Sequence, residues 1–160
     1  MKILFLSFYY EPDLSAGSFR SKSLVKALLK ELPNHSKIEV ITTVPNRYNS
    51  FVSNENDFEV LTGLNIHRVK IPKHKNGFLD QSKAFLIFAK TVLRLSNNNN
   101  YDLIFSTSSR LMTGTLGALI SKKNKVPLYL DIRDIFVDTI KELLPDLLAW
   151  VIVPILSALE

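Results

Sequence analysis

Residues Tyr101–Phe136, YDLIFSTSSRLMTGTLGALISKKNKVPLYLDIRDIF, decide the fold class. Asp102–Ser106 is a short apolar run bounded by polar residues, which predicts a strand. Thr107, Ser108 and Ser109 supply hydroxyls where a helix should begin. Leu111, Thr115, Ala118, Leu119 and Lys122 then recur at helical spacing, which predicts a helix with that stripe as its buried face. Lys122, Lys123 and Lys125 load its C-terminal end, where cations suit the helix dipole. Pro127 stops the helix, and Leu128–Ile132 restarts a strand. Two strands joined in this way should lie parallel through a right-handed crossover. Asp131, Arg133 and Asp134 then emerge at a strand's carboxyl end, the edge where open α/β sheets bind ligands.

The same alternation extends towards the N-terminus. Lys2–Phe8 is almost continuously apolar, as expected of a parallel strand covered on both faces. Its lone lysine, its Tyr-Tyr-Glu-Pro ending and the lack of a small-residue cleavage site favour a buried strand over a signal peptide. A loop, Tyr9–Ser18, leads to a helix with Val25, Leu28, Leu29 and Leu32 on one stripe and Lys22, Lys26 and Lys30 opposite. Lys37–Thr43 is the second strand, and 44–57 reads as a loop over the ligand edge. Phe58–Leu61 and Ile66–Ile71 flank Thr62–Asn65 as a hairpin or an added strand. Phe78–Ser96 predicts a long helix with Phe85, Phe88, Ala89 and Val92 on one side, and Lys83, Lys90 and Arg94 on another. Asp138–Leu144 looks helical, and Leu147–Leu159 is an apolar stretch divided by Pro154, too short to span a bilayer as a helix. The expected division is one α/β domain over 1–144 and an apolar segment over 145–160.

Three groups could carry chemistry. In SAGSFR, Ser15–Arg20, Gly17 lets a ligand approach the backbone, the helix start around Ser18 offers amide donors to a phosphate, and Arg20 adds charge. A structural turn explains the same residues. Ser108 and Ser109 stand at a second strand-to-helix junction, as ligand contacts or as helix caps. Asp131, Arg133 and Asp134 could orient hydroxyls and bind phosphate, or form an internal ion-pair network.

MKILFLSFYYEPDLSAGSFR, VITTVPN and YDLIFSTSS through VPLYLDIRDIF, in that order, resemble the N-terminal half of bacterial retaining glycosyltransferases. The resemblance is to two-domain GT-B enzymes of the family-four type, particularly those building lipopolysaccharide O-antigen and capsule. Its most specific part is a strand ending in Asp-x-Arg-Asp, here Asp131–Asp134. Ile135, Phe136 and Val137 replace the Leu-Trp-Pro that usually follows, and Ala16-Gly17 replaces a frequent Gly-Gly. Hydroxyls at Ser106–Ser109 stand where some relatives carry a histidine. The resemblance implies a Rossmann-like, mainly parallel sheet with helices on both faces, forming the acceptor-side half of the enzyme. It implies a nucleotide-sugar donor, no separate cofactor, and a lipid-linked or oligosaccharide acceptor. Placed at the sheet's carboxyl edge, Asp134 is the expected catalytic residue, orienting or deprotonating the acceptor hydroxyl. Gly17, Ser18, Arg20, Ser108, Ser109, Asp131 and Arg133 would bind substrate. Most donor contacts would belong to a second domain, so residues 1–160 alone should be inactive.

Composition sets the outer bounds. At 160 residues, 46% hydrophobic and 22% charged, the chain suits one globular domain burying roughly 70% of its unfolded surface. The absence of cysteine excludes disulfides and thiolate metal sites and fits a cytoplasmic protein. The histidines, at 35, 67 and 74, lack metal-ligand spacing, so no metal is expected. A net charge of +5 suits phosphate ligands, an anionic membrane surface or simply a solvated basic surface. The Lys83–Arg94 stripe and the apolar tail would suit peripheral attachment at the inner face of the cell membrane, and burial against a missing domain explains the tail equally well. No groove-reading motif supports nucleic acid. The alternative function is a non-catalytic nucleotide- or phosphate-binding module on the same fold.

Overall fold

The computed structural model describes residues 1–45, 56–72, 78–97, 99–108 and 111–132. In chain order they form β1 (Lys2–Leu6), α1 (Ala16–Glu31), β2 (Lys37–Thr43), β3 (Phe58–Leu61) and β4 (Leu64–Val69). There follow α2 (Phe78–Ser96), β5 (Leu103–Thr107), α3 (Leu111–Asn124) and β6 (Leu128–Asp131). The six strands make one sheet in the order β3-β4-β2-β1-β5-β6. All neighbours pair in parallel except β3 and β4, an antiparallel hairpin. Its turn is closed by Gly63 at φ 75°, a conformation that favours glycine. The stretch 58–71 is therefore both a hairpin and an added parallel strand.

Side chains alternate between the two faces of the central strands, and each face has its own core. Ile3 and Phe5 of β1, with Ile38 and Val40 of β2, meet Val25, Leu24, Leu28 and Leu29 of α1. Leu4, Leu6, Ile41 and Ile104 on the opposite face meet Phe85, Phe88 and Val92 of α2 and Leu116 and Ile120 of α3. The fully buried side chains among these contribute about 1.5–3 kcal/mol each, and the half-buried Leu24, Leu28 and Leu29 less. Across the first face runs a ladder of rings in register. Phe5 stacks on Phe105 and Phe105 on Tyr129, each pair 4.7 Å apart, through β1, β5 and β6. This is a doubly wound, Rossmann-like α/β arrangement, as the alternation in the sequence implied.

One expectation is corrected. The stripe Thr115, Ala118, Leu119 and Lys122 of α3 does not form its buried face: Ala118, Leu119 and Lys122 are exposed, and Thr115 is half-buried. The buried side is Thr113, Gly114, Leu116, Gly117 and Ile120. Close approach to the sheet selects it. A Cβ at Gly117 would lie 2.6 Å from the Ser106 Cβ, and one at Gly114 would lie 3.0 Å from Leu130 Cδ1. Small residues let the helix settle onto β5 and β6, leaving Leu119 outside.

The sheet's amino-terminal edge carries a buried polar cluster that hydrophobic patterning did not anticipate. Glu39 accepts from Lys2 Nζ at 3.2 Å and from His67 Nε2 at 3.1 Å, and Lys2 Nζ lies 4.8 Å from the centre of the Tyr101 ring. Burial would raise the Glu39 pKa, but hydrogen bonds from His67 and Lys2 and the lysine's charge outweigh it and hold it below its ordinary 4.5. Burial beside this carboxylate pushes the Tyr101 phenol up, so it stays protonated. Because the folded-state value is depressed, Glu39 contributes stability above the unfolded-state value and loses it as pH falls through the folded one. Glu39→Gln is expected to cost about 1–3 kcal/mol near pH 7 and to flatten the decline in stability below pH 4.5. Parallel acid limbs in denaturant titrations of the two proteins would exclude this role.

Candidate functional site

Chain direction across the sheet reverses at β1. From β1 the chain crosses through α1 to β2 on one side, whereas β5 continues through α3 to β6 on the other. The carboxyl ends of β1 and β5 therefore flank a topological switch point, where open α/β sheets leave a crevice. The start of α1 stands on this edge. Ser15 is its N-cap, with extended backbone (φ −124°, ψ 153°) and its Oγ accepting from the Ser18 amide at 3.1 Å. Gly17 and Ser18 thus belong to the helix's first turn rather than to the preceding loop. Both are buried. The Ser18 hydroxyl is 1% exposed as a residue and has no hydrogen-bond partner among the described residues.

Beneath that turn lies a group of hydroxyls. Ser7 Oγ is 2.9 Å from Ser21 Oγ and 2.7 Å from the Tyr9 carbonyl; Ser21 Oγ donates to the Gly17 carbonyl at 2.8 Å. Thr107 Oγ1 donates to Ser7 Oγ at 3.3 Å. Ser7 and Ser21 each have one proton, so the Ser7–Ser21 hydrogen bond forms only when one of them turns from its carbonyl partner. The group couples the ends of β1 and β5 to the first turn of α1.

Arg20 and Asp131 close the far side. Arg20 Nε and Nη2 donate to the two Asp131 oxygens at 3.1 and 2.7 Å, a fork that joins α1 to the end of β6. Asp131 is buried whereas the Arg20 side chain is 52% exposed, so the pair contributes little to stability. Two of Arg20's five N–H donors are engaged by this carboxylate, and its charge is already matched. Ser108 is buried, and its amide donates to the Asp131 carbonyl at 2.9 Å. The structure thus brings Gly17, Ser18, Arg20, Ser108 and Asp131 to one edge. Ser109, Arg133 and Asp134 lie outside the described residues.

Ser7, Ser21 and Arg68 escaped the sequence reading. Ser7 had a signal, as a polar residue closing an apolar run on the edge side of β1. Arg68 is buried on β4 and donates to Glu59 Oε2 at 2.9 Å and to the Asn56 and Glu11 carbonyls at 3.3 Å. Thr43 Oγ1 donates to the Phe8 carbonyl at 2.6 Å, and Lys22 pairs with Glu11. Together these contacts pin the loop between β1 and α1 that leads into the site. No group of acidic, histidine or cysteine side chains able to hold a metal occurs among the described residues.

The C-terminal domain of a hydrogenase from Pyrococcus furiosus is similar to this chain, with a TM-score of 0.53, 13% identity, and coverage of 81% of this chain and 89% of that one. The likeness is one of fold. No family model matches the sequence, and no curated protein does.

Proposed function

We propose that the chain is the acceptor-side domain of a retaining glycosyltransferase that moves a sugar from a nucleotide-sugar to a glycan acceptor. The observation that carries this reading is the juxtaposition at the switch point: the capped start of α1 with its buried, unpartnered Ser18 hydroxyl, beside the strand end that runs into Asp131–Asp134. Amide donors and a hydroxyl at a helix start suit a phosphate or sugar oxygen. The resemblance of VPLYLDIRDIF to the glycosyltransferase pattern supplies the reaction class.

In this reading the first turn of α1 receives the acceptor's phosphate or hydroxyls. Arg133 binds an acceptor phosphate, and Asp134 orients the attacking hydroxyl or takes its proton. Arg20, held by Asp131, positions the β6 end and leaves its remaining donors for the ligand. The donor nucleotide-sugar is held mainly by a second domain, and the acceptor is lipid-linked at the cytoplasmic membrane face. A transfer assay tests the proposal. The polypeptide carrying both halves should release nucleotide from a nucleotide-sugar in the presence of a glycolipid acceptor, whereas residues 1–160 alone should not. Transfer by residues 1–160 alone, or none by the two-domain polypeptide, would reject it. Nucleotide binding without transfer would instead favour a phosphate-binding module on the same α1 start.

A further inference from the structure

The two faces of the sheet are unequally covered. Among the described residues, α2 and α3 share one face, whereas α1 alone lies on the other. On that first face α1 serves β1 and β2, and towards β6 it sends only Arg20, which reaches Asp131. Tyr129 stands two residues before Asp131 on β6, on the same face. Its ring is stacked on Phe105 yet remains 58% exposed, so the ladder of rings ends open. Leu103 of β5 is half-buried beside it, and Ile132 is 63% exposed. Ala27, seven residues after Arg20 and so on the same flank of α1, is exposed as well. A sheet closed on one face and open over β5 and β6 on the other is an unfinished layer.

The chain itself carries the matching piece. Leu147–Leu159, LLAWVIVPILSAL, holds no charge, and only Pro154 and Ser157 interrupt its hydrophobic residues. We infer that this segment folds back onto the first face, packing on Tyr129 and Leu103 and along the Arg20–Ala27 flank of α1. The chain leaves β6 at Ile132, beside the open ring, and residues 133–146 can bridge more than about 40 Å when extended. The segment is about 20 Å long even as a helix, against about 13 Å for the four residues of β6. So short a tether gives it a millimolar effective concentration at this face, which a second copy or a separate domain has to overcome. Charge agrees. The one ionic pair on the face, Arg20 with Asp131, is already neutral and suits an uncharged cover. Seated there, the segment walls off the sheet behind that fork, so the unused donors of Arg20 open to the carboxyl edge alone. Residues 147–159 then belong to the same unit as the sheet rather than leading away from it.

The inference is independent of sugar transfer, and its test needs no ligand. The chain has no cysteine, so introduced pairs report without background. In the full chain Ala27→Cys is combined in turn with Leu148→Cys, Val151→Cys, Val153→Cys and Ile155→Cys, and each variant is oxidised. At least one pair should close within a single molecule, because a disulfide forms only where the Cα atoms lie within about 7 Å. Leu119→Cys, exposed on the opposite face, is the control and should close about tenfold less with the same partners. Ala27 and Leu119 are both exposed, so neither change threatens the fold. Trp150, the only tryptophan, gives a readout without cysteines. Acrylamide should quench it severalfold less in the native chain than in urea, and Tyr129→Asp should remove much of that protection. Failure of every Ala27 pair, equal closure with Leu119, or closure between two molecules overturns the inference. So does closure that is lost in the polypeptide carrying both halves, or a Trp150 shielded only when lipid vesicles are added.

Discussion

On the proposed glycosyltransferase reading, Asp134→Asn in the polypeptide carrying both halves is expected to lower sugar turnover by about 10²–10⁴-fold while leaving the melting temperature close to that of the parent. The substitution keeps the shape of the side chain and removes its charge and basicity. Two carboxylates occur in Asp131–Asp134, and the structure describes the first of them. Asp131 accepts both hydrogen bonds of the Arg20 fork and is buried, so it serves the framework. Its carbonyl also receives the Ser108 amide, which fixes where β6 ends relative to β5. Asp134 follows three residues later in the sequence and, on the proposed reading, is the candidate for the acceptor's proton. A rate unchanged by Asp134→Asn, with folding intact, would return the motif to a structural ion-pair role.

Gly117→Val is expected to destabilise the fold by about 3 kcal/mol, lowering the melting temperature by roughly 6–12 °C for a chain of this length. The first added carbon alone would lie 2.6 Å from Ser106 Cβ and 2.8 Å from Ser106 Oγ. Ser106 cannot step aside: it is fully buried on β5, and its hydroxyl donates to the Thr113 carbonyl one turn earlier in α3. Relief requires α3 to lift from the sheet, opening gaps around Leu116 and Ile120. Gly114→Ala is the control, since its nearest contact is the end of the partly exposed Leu130 side chain at 3.0 Å. That change should stay within about 1 kcal/mol, because added helix propensity offsets a small displacement. A melting temperature for Gly117→Val within measurement error of the parent would refute the packing account.

Strand and helix order could be read from the chain because both signals are local. Runs such as KILFL and LIFST are buried on both faces, and the α2 stripe of Phe85, Phe88 and Val92 points inward as its spacing implied. The orientation of α3 could not be read that way. Its buried side is marked by glycines and a threonine, whose smallness matters only once Ser106 and Leu130 are known to face them. At the candidate site, the ligand edge followed from parallel topology, but its internal chemistry did not. The Ser7–Ser21 and Arg20–Asp131 contacts join residues 14 and 111 positions apart, which no local pattern encodes. Glu39 and His67 were hidden likewise, as polar residues in otherwise apolar strands whose register alone brings them together.

The central place of β1 bears on how the chain is made. Ile3 pairs with Ile38 on one side and with Leu103 on the other, so its second partner is encoded 100 residues after it. At about 5–20 residues per second, the ribosome delivers that partner roughly 5–20 s after β1 has emerged. During this interval β1, α1 and β2 can assemble, yet one backbone edge of the innermost strand stays unpaired and the Leu4–Leu6 face awaits α2 and α3. A nascent chain halted before residue 103 would present that edge to chaperones or to other nascent chains. The first strand synthesised is thus among the last to have both of its neighbours.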